Sequence, residues 1–311
     1  MNANQSERTD GKKRYHFAVL MFGTSSVFIK LINMSATGIV VGRFFISATT
    51  MFLFFAFNKK LNKIWTINKK SLLFMFFAGV LLALHAWAFV TSIQLTSVAI
   101  ATITHACFPV FSLLLEKTIT RNSSEIKPFM MVSALLTIVG AIVLIPELSL
   151  QNANVLGVLV GLLSALSFAS HLIVNDKARI KIKTQTGVGK DIGLVTTFYT
   201  HFFAALILSP VAAILMSLNF KLTDVVYLLV LGSIVTALGF AIYYSALESY
   251  NPTTLGIASS LEAVYGISLA LLVMQTYPTT RELIGGAIII SAVTYNEWKR
   301  KHSDRLFENR R

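Results

Sequence analysis

Residues 70–91 read KSLLFMFFAGVLLALHAWAFVT, an apolar run with the length of a helix that crosses a membrane. About 20 residues are enough for a helix to span the hydrocarbon core of a bilayer. Nine similar runs flank this one, so that the ten lie at residues 15–33, 36–57, 70–91, 97–115, 128–146, 155–175, 193–215, 224–246, 253–274 and 282–298. The sequence therefore predicts an all-α integral membrane protein with ten transmembrane helices.

The basic residues fall almost entirely on one side of this predicted topology. When the N-terminus is placed in the cytoplasm, 23 of the 27 Lys and Arg residues lie in cytoplasmic loops and tails. Lys221 and Arg281 lie on the other side, and Lys30 and Arg43 lie within helices. This asymmetry follows the positive-inside rule. We therefore predict a multi-pass protein of the cell inner (plasma) membrane with both termini in the cytoplasm.

The composition also excludes a soluble domain, because 55% of the residues are hydrophobic and only 13% are charged. The net charge of +13 does not indicate a nucleic-acid partner, since the basic residues sit in short loops between apolar runs. The longest connection, residues 176–192, is basic and is expected to be a cytoplasmic linker. A lipid bilayer is the predicted surrounding, and a monomer or homodimer is the expected assembly.

The two halves of the chain resemble each other weakly. Residues 26–32 align with residues 167–173, and residues 108–110 align with residues 262–264. Because each half holds five helices, an odd number, the second half must enter the membrane inverted. Inverted repeats are typical of secondary transporters, with the substrate site near the midplane. We predict two inverted five-helix repeats around a central cavity, divided as a 1–14 cytoplasmic N-terminal tail, a 15–146 first repeat, a 147–298 second repeat and a 299–311 cytoplasmic basic tail.

Several short motifs resemble the EamA-type drug/metabolite transporters. The resemblance extends over about residues 15–298, and it implies a ten-helix carrier that moves small metabolites, often amino acids, by alternating access through a cavity between the repeats. The motifs are Gly23-Thr24-Ser25-Ser26-Val27-Phe28-Ile29-Lys30, Gly42-Arg43-Phe44, Phe108-Pro109-Val110 and Glu262-Ala263-Val264, with small residues at Ser133, Gly140, Gly285 and Ala292.

Glu262 is the sharpest candidate for the substrate or proton pathway, because it lies about ten residues into the ninth predicted helix. Charged residues at that depth usually face the bundle interior or a wet cavity. Burial disfavours the ionised carboxylate, so Glu262 could carry a proton. Ser259 shares its helix face. The repeat alignment places His105 opposite Glu262 across the cavity. A carboxyl that is merely neutralised by hydrogen bonds between packed helices remains the alternative.

Arg43 is the candidate for binding a carboxylate or phosphate, since a guanidinium can hold such a group with two parallel hydrogen bonds. Its place near the helix start also allows it to snorkel to the interface. The other candidates for the pathway are His85, Trp87, His201 and Tyr243. Each of these is open to a plainer reading as a packed helix contact or an interface anchor.

Pro109 interrupts the fourth predicted helix and is a candidate hinge, although a static kink is equally compatible with the sequence. The histidines show no pair at a metal-binding spacing. We therefore predict no metal site and no cofactor.

These observations favour a secondary transporter for a small polar organic metabolite, an amino acid or a related carboxylate-bearing compound. Export by alternating access, with protons as a coupling partner, is the expected mode. An intramembrane enzyme on a lipid-linked substrate would need a nucleophile and a base, or a metal cluster, and the sequence shows neither. Such an enzyme and a passive channel are the two alternatives.

Overall fold

The computed structural model describes residues 3–120, 128–144, 153–186, 188–215, 220–246 and 261–308. Within these ranges the secondary structure is helical throughout. The α-helices are α1 (Ala3–Leu31), α2 (Ala36–Phe57), α3 (Asn62–Trp65), α4 (Lys69–Leu95), α5 (Val98–His105), α6 (Phe108–Thr120), α7 (Pro128–Val143), α8 (Ala153–Thr186), α9 (Ile192–Leu215), α10 (Leu222–Ala246), α11 (Leu261–Met274) and α12 (Thr280–Glu308).

The apolar character of these helices makes the chain a multi-pass membrane protein. Among the described residues, five stretches are both long and apolar enough to cross a bilayer: Ala36–Phe57, Lys69–Leu95, Ala153–Thr184, Gly189–Ile214 and Leu222–Ala246. Four shorter apolar helices accompany them at Tyr15–Leu31, Val98–Ser112, Met131–Val143 and Leu261–Met274. The all-α membrane class is confirmed, and the count of ten spans stays a prediction.

The fourth predicted helix is divided in two. Helix α5 ends at His105 and α6 begins at Phe108, with a turn at Ala106 and Cys107 between them. Pro109 has no backbone N–H and therefore cannot bond the carbonyl of His105, four residues earlier. The predicted interruption at Pro109 is thus present, and its role as a hinge stays a prediction. The break leaves His105 at a helix end inside the bundle, where it is buried.

The predicted linker at residues 176–192 is largely helical instead. Helix α8 continues to Thr186, followed by a short 3-10 turn at Gly189–Asp191. The extension is stabilised by apolar packing, because Ala178 and Ile182 are fully buried in a cluster with residues of the α2–α4 connection and of α9. The lysines of this stretch indicate a linker, but two buried apolar residues give it one packed face.

Helices α1 and α12 also run beyond the predicted spans. Helix α1 takes in most of the predicted N-terminal tail, since it begins at Ala3. Helix α12 continues through the basic tail to Glu308. Lys, Arg and Glu are good helix formers, so an apolar helix can extend through such residues once it has left the bilayer.

Glycines set the closest helix contacts. A Cβ on Gly161 of α8 would lie 2.2 Å from the hydroxyl of Thr104 on α5, and a Cβ on Gly285 of α12 would lie 2.8 Å from the carbonyl of Gly140 on α7. Small residues permit such approaches between helix backbones in a membrane. Gly140, Gly161 and Gly285 are therefore points of close approach between helices.

Neighbouring helices form a regular set of contacts. Helix α4 packs along α8, and α10 packs along α1; α5 and α6 lie against α8, and α11 lies against α1. The pairs α2 with α9, α7 with α12, and α5 with α11 are also in contact. Most of the buried apolar residues of these helices belong to one continuous core.

The two ends of the bundle are held by different polar contacts. At the lysine-rich end, which we define by Lys60, Lys63 and Asp191, both ammonium groups contact the Asp191 carboxylate. At the opposite end the Lys30 ammonium donates to the carbonyls of Ile93 and Thr96 at 2.8 and 3.1 Å, where α4 ends. These interactions tie loops to helices that are distant in sequence.

Helix α10 is unusual in its winding. Its middle turns, Leu231–Leu238, form a π-helix between two α-helical stretches. Gly232 lies in this segment, and a Cβ there would approach the Arg43 carbonyl to 3.0 Å. Wide turns of this kind are rare and frequently occur at functional sites.

Candidate functional site

A narrow cavity of about 20 Å³ lies in the middle of the bundle. Its volume corresponds to roughly one water molecule. Helices α1, α2, α4, α5, α8, α10 and α11 all contribute to its wall, and its lining residues are Phe22, Ser25, Arg43, His85, Phe89, His105, Phe168, Phe240 and Glu262. Four of the side chains predicted from the sequence, Arg43, His85, His105 and Glu262, therefore meet at one place.

Arg43 is buried on α2, with 5% of its surface exposed. Its guanidinium carbon lies 5.2 Å from the ring centre of Phe44, the next residue. Its Nε is buried and has no hydrogen-bond partner among the described residues. A buried donor without a partner costs free energy, and a buried guanidinium usually pairs with an anion. The side chain thus faces the interior rather than snorkelling to the interface.

Close contact between α2 and α10 holds Arg43 in this position. A Cβ on Gly42 would come within 2.5 Å of a methyl carbon of Leu228 on α10. Gly232 of α10 approaches the backbone carbonyl of Arg43 and the side chain of Ile46 on α2 in the same way. Since both glycines lack a side chain, the two backbones lie close enough to bury the arginine.

Glu262 is buried on α11, with 8% of its surface exposed. A glycine crossing with α1 positions it, because a Cβ on Gly23 would lie 2.7 Å from the Cβ of Tyr265 and 3.1 Å from the Glu262 carbonyl. Among the residues that the structure describes, no ion pair joins Glu262 to Arg43. The cavity therefore contains an acid and a base that are not directly bonded.

His85 and His105 form the side of the cavity next to α8. Their ring centres are 4.8 Å apart. Nδ1 of His85 lies 3.0 Å from the Ser164 hydroxyl and 3.3 Å from the Ser164 carbonyl, and Nδ1 of His105 lies 3.4 Å from the same hydroxyl. Phe168 packs against both imidazoles, at 4.6 and 5.2 Å between ring centres. One serine thus joins two histidines from different helices.

His201 and Tyr243 lie behind the cavity wall rather than in it. Nδ1 of His201 lies 2.7 Å from the Ser47 hydroxyl. The His201 ring packs 4.8 Å from the ring of Phe240, which lines the cavity. Tyr243 is fully buried, and its ring centre is 5.4 Å from that of Phe22, another lining residue. Both residues support the wall through aromatic packing.

Two other predicted residues are placed differently. Trp87 is half-buried on α4 and is not among the residues that line the cavity. Ser259 lies outside the described residues. Among the described residues, no group of three or more His, Cys, Asp and Glu side chains could hold a metal ion.

Ser164 and the lining aromatics were missed by the sequence analysis. Ser164 lies four residues before Phe168, which places both on one face of α8. A lone serine in an apolar helix usually bonds its own backbone, so nothing marked Ser164 as a partner for histidines. Ser164 could have been suspected only because two buried histidines need polar partners from neighbouring helices.

Comparisons with known proteins agree with this architecture. The sequence profile of the EamA-like transporter family matches residues 16–145 and, a second time, residues 155–296. One crystal structure of a protein superposes with a TM-score of 0.66 over 92% of this chain and 97% of that chain at 13% identity, which shows the shared fold. No curated protein matches this chain.

The two profile matches together cover most of the chain, one in each half. The family comprises membrane transporters of the drug/metabolite type, so a small-molecule substrate and a lipid environment follow from membership. The resemblance that the motifs around Gly23, Arg43, Pro109 and Glu262 indicated is confirmed. The chain belongs to the EamA-like transporter family.

Proposed function

We propose that this protein is a secondary transporter for a small polar organic metabolite that carries a carboxylate, such as an amino acid. The observation that carries the proposal is the buried Arg43, whose Nε has no described partner and which lines the central cavity. A guanidinium in that position favours an anionic group that can satisfy it. Glu262 on the facing helix offers an acceptor for a cationic or donor group of the same substrate.

Alternating access of two inverted five-helix repeats is the proposed mechanism. The helix contacts support it. In the two repeats α1 corresponds to α8, α2 to α9, α4 to α10 and α7 to α12, so the contact of α4 with α8 has its counterpart in the contact of α10 with α1. The contacts of α2 with α9 and of α7 with α12 each join two corresponding helices, as a twofold relation between the repeats requires. The cavity has room for roughly one water molecule, so a metabolite enters only when helices separate.

Proton coupling through Glu262 and net export are further parts of the proposal. A buried carboxyl that is not paired with a described cation can exchange a proton when the cavity opens to water. The bias of Lys and Arg supports an inner-membrane location with both termini in the cytoplasm. Transport direction in vesicles of known orientation tests the assignment of export.

Counterflow in proteoliposomes tests the transporter proposal. Liposomes are preloaded with pooled amino acids, carboxylates, sugars, nucleosides or amines, and labelled tracer is added outside. We expect transient accumulation with a carboxylate-bearing pool, and its loss in Arg43→Ala. Arg281→Gln, which alters an exposed arginine at the start of α12, serves as the control and should transport like the parent. Accumulation only with sugars or amines would contradict the proposed substrate class.

The role of Glu262 is tested in the same vesicles with an imposed pH gradient. Glu262→Gln keeps the shape of the side chain but removes its ability to exchange a proton. We expect the variant to retain counterflow and to lose its response to the gradient. If Glu262→Gln and Arg43→Ala are both folded and transport like the parent, the proposed site is wrong. Flux that does not saturate and shows no counterflow would indicate a channel.

A further inference from the structure

Ser164 occupies a position that determines how the two cavity histidines hydrogen-bond. It is fully buried on α8, and its hydroxyl lies between Nδ1 of His85 and Nδ1 of His105 at 3.0 and 3.4 Å. His85 belongs to α4 and His105 to the end of α5. The three residues thus connect three helices at the cavity wall through one hydroxyl group.

The donor and acceptor roles in this cluster follow from chemistry. The Ser164 carbonyl lies 3.3 Å from Nδ1 of His85 and can only accept a hydrogen bond. Nδ1 of neutral His85 must therefore carry the hydrogen, which it directs at the carbonyl and hydroxyl oxygens of Ser164. The hydroxyl has a single hydrogen, which is then available to Nδ1 of His105. Neutral His105 consequently carries its hydrogen on Nε2.

The second ring nitrogen of each histidine takes no part in the contacts with Ser164. Both rings line the cavity, and Nε2 of neither ring has a hydrogen-bond partner among the described residues. Nε2 of His85 is then an acceptor, and Nε2 of His105 is a donor. The two rings, whose centres are 4.8 Å apart, thus give the cavity lining one acceptor nitrogen and one donor nitrogen on neighbouring residues.

We propose that Ser164 is a positioning residue that sets opposite tautomers in His85 and His105, so that the pair recognises a ligand group that both donates and accepts a hydrogen bond. A hydroxyl, a carboxamide or a protonated carboxyl has this property. The tautomer assignment is independent of transport, whereas the recognition of a ligand group rests on the proposed function of the cavity. Ser164 itself acts only through the two rings.

Nitrogen NMR on protein with ¹⁵N-labelled histidine tests the tautomers directly, since protonated and unprotonated ring nitrogens give distinct signals. The signals are assigned by their loss in His85→Gln and His105→Gln. We expect hydrogen on Nδ1 of His85 and on Nε2 of His105 in the parent. In Ser164→Ala, His105 should become a mixture of tautomers, while Ser164→Thr, which keeps the hydroxyl, should preserve the parent pattern.

Ser170→Ala is the matched control, because Ser170 lies on the same helix and donates to the carbonyl of Leu166 in its own helix. It should leave both histidine signals unchanged. The same tautomer on both rings in the parent, or an unchanged spectrum in Ser164→Ala, would overturn the proposal. A thermal melt of each variant establishes that it is folded before its spectrum is interpreted.

Transport provides the second measurement. For the pool compound that the parent accumulates, we expect Ser164→Ala to raise KM about tenfold, which corresponds to about 1.4 kcal/mol, with little change in kcat. Ser164→Thr should restore the parent KM. An unchanged KM in Ser164→Ala would overturn the recognition role. If the parent transports no pool compound while the tautomers are as stated, the proposed function fails and the positioning role stands.

Discussion

The partly exposed charges of the lysine-rich end and the buried charges of the central cavity differ in whether they are paired. At the lysine-rich end, Asp191 accepts contacts from both Lys60 and Lys63. In the cavity, the Nε of Arg43 has no described partner, and no described ion pair links Arg43 to Glu262. The pairs with Asp191 join the α2–α4 connection to the turn before α9, whereas the Nε of Arg43 is a buried donor that our proposal assigns to the substrate. The difference distinguishes charges that already have a partner in the protein from a donor that the proposed function assigns to the substrate.

The strongest test of this contrast replaces the unpaired cation. Arg43→Gln should lower transport at least tenfold, because a charge-assisted hydrogen bond of about 1.5–3 kcal/mol to the substrate is lost. Thermal stability should stay equal or rise, since an unpartnered buried charge is removed. Counterflow and thermal unfolding of the purified protein measure the two effects. A large loss of stability with normal transport would show that Arg43 is a structural cation after all.

A smaller effect is expected for the cation that caps a helix at the opposite end. Lys30→Met removes the hydrogen bonds to the carbonyls of Ile93 and Thr96, and should lower the stability by about 1 kcal/mol. Transport by the folded protein should stay near the parent rate. Lys30→Arg retains donors for both carbonyls and should recover most of the stability. Loss of transport at unchanged stability would show that Lys30 acts in transport and does not stabilise the fold.

The smallest effect is expected at Asp191. Its partial burial acts to raise the pKa, but hydrogen bonds from Lys63 and Lys60 outweigh burial and hold the pKa of Asp191 below its ordinary value. Because the folded pKa is lowered, the pair stabilises the protein above the unfolded pKa of about 3.9, and the benefit is lost as the pH falls through the folded value.

Asp191→Asn should therefore lower the stability at neutral pH by about 0.2–1 kcal/mol, with the difference from the parent disappearing in acid. Thermal melts between pH 7 and acid measure it. Lys70→Gln, which alters an exposed lysine near the start of α4, serves as the control and should change the stability by no more than about 0.5 kcal/mol. A difference at Asp191 that grows in acid would contradict the assignment.

Much of the architecture was available from the sequence because a bilayer imposes length and apolarity on each helix. The family resemblance was available too, through motifs that remain in place along the whole chain. The extension of α8 was not, since its buried residues Ala178 and Ile182 are few beside the lysines. A narrow apolar face on a helix is difficult to recognise in a sequence where most of the residues around it are charged.

The candidate site was predictable only in part. Arg43, His105 and Glu262 could be predicted because charged and imidazole side chains are rare in apolar helices, and such residues are visible in the sequence without a structure. The convergence of His85 on His105 depends on how α4, α5 and α8 cross, which no local pattern encodes. Ser164 could not be recognised alone, because its meaning comes from two rings that lie 79 and 59 residues away in the chain.

The π-helical turns of α10 have a consequence for how the chain tolerates length changes. Each π turn holds more residues than an α turn, so Leu231–Leu238 accommodates surplus chain within an otherwise regular rod. Converting these turns to α-helix would swing the residues that follow, Phe240 among them, by about 100° per residue of surplus. The winding of Leu231–Leu238 thus determines which side of α10 carries Phe240 and therefore which aromatic face lines the cavity.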